Sequence, residues 1–108
     1  MNFRRFMEKL KHVRLELRQC QEVLVEVQDA EDLKKVHEKW DEVVEARNVA
    51  SETLNKLNVE VEGAEKSLTD VEKEALKALI KKEEKNLKSV EKEIAYVLKD
   101  MKKRVTLH

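Results

Sequence analysis

The chain has no proline, one glycine, one cysteine and four aromatic residues in 108, and its 23 Lys or Arg residues are cancelled by 23 Asp or Glu. Without Pro and Gly there is little to set tight turns, barrel corners or phosphate-cradling loops, which argues against β and α/β folds. Cys20 has no second cysteine to pair with, as suits a reducing compartment. No apolar run approaches the roughly 20 residues needed to cross a bilayer, and residues 1–16 lack the continuous apolar stretch of a secretory signal. A cytoplasmic protein is the expectation.

What the chain has is charge and period: 43% of residues are charged and 41% hydrophobic. From Phe3 the apolar positions Phe6, Leu10, Val13, Leu17, Cys20, Leu24 and Val27 step by four and three alternately, the spacing of a coiled-coil seam. A second seam, offset from the first, runs Leu33, Val36, Trp40, Val43, Arg47, Ala50, Leu54, Leu57, Val61, Ala64 and Leu68. The offset and the acids Asp29, Glu31 and Asp32 predict a turn at 28–31, with Asp29 capping the new helix. Gly63 is the natural αL end of the second helix, although its seam continues to Leu68. Thr69 and Glu72 have capping-box spacing.

The third helix carries Val71, Leu76, Ile80, Leu87, Val90, Ile94, Val97 and Met101, interrupted by the polar run 81–86. Helices are therefore expected at about 2–28, at 31–63 with residue 67 as the alternative end, and at 70–104. Three such helices with short connections pack most simply as one all-α domain, an antiparallel up-down-up three-helix bundle of coiled-coil type. Net charges of +2 for residues 1–28, −5 for 29–62 and +3 for 63–108 favour that order, since each antiparallel contact then joins opposite signs. Facing residues should have numbers adding to about 60 in the first hairpin and 132 in the second. This register puts Trp40 in the core beside Cys20, and Arg47 level with Glu83 and Glu84, so Arg47 should pair with one or the other, with Arg47 and Glu83 counted among the core residues.

Catalytic, metal-ligating and cofactor-holding residues are expected to be absent. His12, His37 and His108 have no second ligand at helical spacing, and the pairs Glu38 with Glu42 and Asp41 with Glu45 fall on a solvated face. Cys20 occupies a seam position as a small hydrophobe. Basic groups at Arg4, Arg5, Lys9, Lys11 and Arg14 and from Lys77 to Lys92 are diluted along the chain by Glu8, Glu83, Glu84, Glu91 and Glu93. With so few aromatic residues, nucleic-acid binding is the alternative rather than the leading reading.

The pattern Leu33-x2-Val36-x3-Trp40-x2-Val43-x3-Arg47-x6-Leu54 resembles the tryptophan-bearing helix of spectrin repeats, over about 25 residues. It lacks the Trp that the spectrin pattern expects in the first helix. The resemblance implies a spectrin-repeat-like bundle serving as a spacer or docking surface. Independently of it, Leu15 and Val25 stand outside the first seam and Val23 at its edge, a candidate partner surface. The expected function is a non-enzymatic protein–protein interaction module that binds another protein or itself as a homodimer, without a membrane span.

Overall fold

The structure is a computed structural model that describes residues 2–64 and 66–107, without the side chains of Leu33 and 105–107. It consists of α1 (Phe3–Asp29), α2 (Leu33–Gly63) and α3 (Asp70–Leu107). The described residues contain no strand. Each helix starts on a side chain that satisfies free backbone donors. The Asn2 carboxamide accepts from the Arg5 N–H at 3.0 Å for α1. Asp32 accepts from the Lys34 N–H at 3.0 Å for α2.

Asp29 is therefore not the cap expected from the sequence. It is the last residue of α1, and the turn occupies 30–32. Asp32 directly precedes the first residue of α2, so its short side chain reaches the free N–H groups that Asp29 cannot. Before α3 the capping box is formed in both directions, Thr69 N–H to Glu72 at 3.0 Å and Glu72 N–H to Thr69 Oγ1 at 3.1 Å. Gly63 does end α2, but with negative φ. The terminal turn closes instead through Ala64 N–H to the Val61 carbonyl at 3.3 Å, so no left-handed residue is needed.

The helices run up, down and up in a rod of 59 × 18 × 16 Å. Buried residues of α1 repeat the four-three spacing from Phe6 to Val27, with Val23 added on the α2 side. From α2 come Val43, Ala46, Ala50, Leu54, Leu57 and Val61, and Leu68 folds in from the connection before α3. Each fully buried Val, Leu, Ile or Phe contributes about 1.5–3 kcal/mol. In α3 the buried sequence is Leu76, Ile80, Glu83, Leu87, Val90 and Val97. The polar run 81–86 is thus no gap in the seam, because Glu83 takes the position an apolar residue would hold. Val71, expected on that stripe, is 80% exposed.

Facing residues lie further along than expected. Across α1 and α2 the partnered numbers add to 63–69, as in Cys20 with Val43, Lys39 with Glu26 and Lys9 with Glu60. Across α2 and α3 they add to 138–142, as in Arg47 with Glu91, Lys77 with Glu62 and Asn58 with Glu84. Helical side chains lean toward their own N-terminus, so antiparallel partners meet at a larger sum than facing Cα atoms do, and axial stagger adds to it.

The shift displaces Trp40 from Cys20. Trp40 is half-buried and packs against the rim of the core, as Val36 and Met101 do. It is not a core residue in the expected sense, since the end of the bundle leaves part of so large a ring uncovered.

Candidate interaction surfaces

Polar side chains between the helices are matched to one another. Glu83, 1% exposed, accepts from Arg14 Nε at 3.2 Å through Oε1 and from Asn86 Nδ2 at 3.2 Å through Oε2. A carboxylate in a seam needs such partners, because an unpaired buried charge is costly. Arg47 is not its partner, contrary to the sequence expectation. The Arg47 guanidinium leaves the seam, remains partly exposed, and contacts Glu91 at 3.3 Å and the Asn48 side-chain oxygen at 2.9 Å. Glu84 instead accepts from Asn58 at 2.6 Å. Arg47 is thus a flank residue rather than core, and Arg14 is the residue that sequence reasoning missed.

Cys20 is fully buried, and its Sγ donates to the Val43 carbonyl at 3.6 Å. Burial, helped by the charge of Glu93, pushes its thiol up to about 11, the opposite of what a nucleophile requires. Among the described residues no three His, Cys, Asp or Glu side chains gather in a metal-binding arrangement. His12 is exposed and lies 3.8 Å from Glu16, His37 is exposed, and His108 lies outside the described residues. No helix among those described is long and apolar enough to cross a membrane.

The expected partner surface divides. Val23 is 7% exposed and belongs to the core, because it turns toward α2, the helix packed most closely on α1. Leu15 is 50% and Val25 56% exposed. Ten residues at about 100° each place them about 80° apart around α1. Leu15 borders a polar groove of about 500 Å³ with Arg18, Glu22, Glu26, Lys39 and Glu42. Val25 borders a groove of about 360 Å³ between α1 and α3, where Leu24 and Val97 form the floor and Tyr96, 69% exposed, stands opposite. Gln21 bridges the same two helices by donating to Glu93 at 3.5 Å.

Charge on α3 is sorted by side. Every acid from 81 to 103 has a partner: Glu83 has Arg14, Glu84 has Asn58, Glu91 has Arg47, Glu93 has Gln21 and Asp100 has Arg104. Arg104 also donates to the Gln28 carbonyl at 3.2 Å, capping the end of α1. The lysines of the same stretch are exposed.

No protein-family model matches the chain, and no match to it was found among the curated proteins or the solved structures.

Proposed function

We propose that this chain is a non-enzymatic cytoplasmic interaction module, an adaptor, assembly or accessory protein that binds another protein or a second copy of itself. The observation that carries the reading is the groove between α1 and α3, where Val25 and Tyr96 face each other while exposed. A helix laid along it would cover both, with Gln21, Gln28, Lys92 and Glu93 supplying a polar rim. The elongated shape supports the same reading. The chain exposes 7885 Å², against about 6,200 Å² for a compact protein of its mass. A stable interface removes about 800 Å² per partner, roughly half of that surplus. The buried groups capable of chemistry are held in structural bonds, Cys20 to Val43 and Glu83 to Arg14 and Asn86.

The test is the paired variant Val25→Gln with Tyr96→Gln, compared with the parent by light scattering over a concentration series and by cross-linking in host extract. Unchanged melting with loss of a concentration-dependent dimer, or of one discrete cross-linked species, supports the module. Association identical in parent and variant rejects this groove as its site.

A further inference from the structure

Lys81, Lys85, Lys88, Lys92, Lys99 and Lys103, with Tyr96 among them, step along α3 by three or four residues, and all are exposed. At about 100° per residue they fall within roughly 80° of arc, a single file rather than a scatter. From first to last it is about 33 Å long at 1.5 Å per residue.

In the linear sequence Glu83, Glu84, Glu91 and Glu93 break up this basic run. In the fold none of them stands in the file: Glu83 is buried in the seam, Glu84 and Glu91 bond to Asn58 and Arg47 of α2, and Glu93 and Asp100 flank the file, bonded to Gln21 and Arg104. The file itself therefore carries only lysines and Tyr96, although the chain is neutral overall.

We propose that this lysine file, which meets the apolar groove at Lys92 and Tyr96 but differs from it in chemistry, is a second binding surface that takes the phosphate backbone of a nucleic-acid duplex without reading its sequence. Its length matches one duplex turn of about 34 Å. Lysines on a straight rail neutralise phosphates as point charges, and the Tyr96 hydroxyl adds a donor of the kind that contacts phosphate. The acidic face of a second copy fits less well. The exposed acids that share one face of α2, Glu38, Asp41, Glu42, Glu45 and Glu52, cover about 21 Å at 1.5 Å per residue, while Glu62 turns to Lys77 of α3. Lys39 lies among them, bonded to Glu26 and Glu42.

The experiment titrates the full chain with a mixed-sequence DNA duplex of about two turns, at several salt concentrations, beside Lys85→Glu with Lys88→Glu and the neutral Lys85→Gln with Lys88→Gln. Six phosphate contacts should weaken binding roughly 10³-fold between about 50 and 200 mM salt, and the neutral pair should lower the logarithmic slope by about two. The charge-reversed pair should abolish binding while melting as the parent does, and Val25→Gln should bind normally, separating this surface from the groove.

Absence of duplex binding at about 50 mM salt overturns the proposal. So does binding that the charge-reversed pair retains. Low-salt self-association lost in that pair, without duplex binding, would assign the file to an acidic protein surface instead and equally overturn it.

Discussion

Arg14 on α1 and Glu83 on α3 meet at 3.2 Å, with Glu83 almost entirely buried and Arg14 half in water. The contact binds the carboxylate into a layer otherwise filled by apolar side chains. Removing the cation should therefore cost more than removing both charges. Arg14→Ala leaves Glu83 with Asn86 and is expected to destabilise by roughly 1–3 kcal/mol. Glu83→Leu, which makes the seam apolar from Ile80 to Leu87, is expected to range from neutral to a gain of about 1–4 kcal/mol. In the Glu83→Leu background Arg14→Ala should lose most of its effect, as urea midpoints would show. A large loss on Glu83→Leu alone would refute the reading of a carboxylate substituting in an apolar seam.

Arg47 and Glu91 provide the contrast. Both stay partly exposed to water, so their coupling in a double-mutant cycle should not exceed about 1 kcal/mol. Arg47→Leu and Glu83→Leu should be additive, since neither touches the other. Non-additivity would restore the pairing expected from sequence.

Burial of Cys20 has a pH signature. Its folded thiol titrates near 11, above the unfolded value of 9.0, so the stability it confers is fully present below pH 9 and is lost as pH rises toward 11. Thermal melts from pH 8 to 11 should fall more steeply for the parent than for Cys20→Ala. Equal slopes would place the thiol in solvent. Below pH 9 a thiol reagent should label Cys20 only through opening of the bundle.

Gly63 ends α2 with negative φ, and a Cβ built there meets nothing within 4 Å. Gly63→Ala should accordingly stabilise by about 0.4–1 kcal/mol through the unfolded chain. Thr69→Ala removes half of the capping box and should destabilise by about 1 kcal/mol. A lowered melting temperature for Gly63→Ala would mean that the α2 end needs glycine after all.

Val23 and Val25 test the two sides of α1. Val23→Gln should destabilise by a few kcal/mol, and Val25→Gln should remain within about 0.5 kcal/mol.

The first helix was almost entirely legible, since its seam from Phe6 to Val27 alternates without interruption and depends only on local spacing. So was the Thr69–Glu72 cap, formed by residues three apart. The offset between helices was not legible, because stagger and side-chain lean belong to packing rather than to any one segment; the misplacements of Trp40 and Arg47 both follow from it. Glu83 was legible as a core residue but not its partner. The register error pointed it at Arg47, whereas the steps from Leu76 to Ile80 and on to Leu87 turn it inward toward Arg14 of α1. Val23 and Val25 differ by two positions and lie on opposite sides of the solvent boundary, which the seam alone does not draw.

The most direct measurement concerns the sorting of charge on α3, on which both the packing of the bundle and its lysine file rest. Carboxylates of the folded protein can be labelled with a carbodiimide and an amine, and each site read by mass spectrometry. Asp70 and Glu74, exposed at the start of α3, should label in the native state, with Glu83 spared until the bundle melts. Labelling of Glu83 as fast as Glu74 in the native state would contradict the inward placement of Glu83.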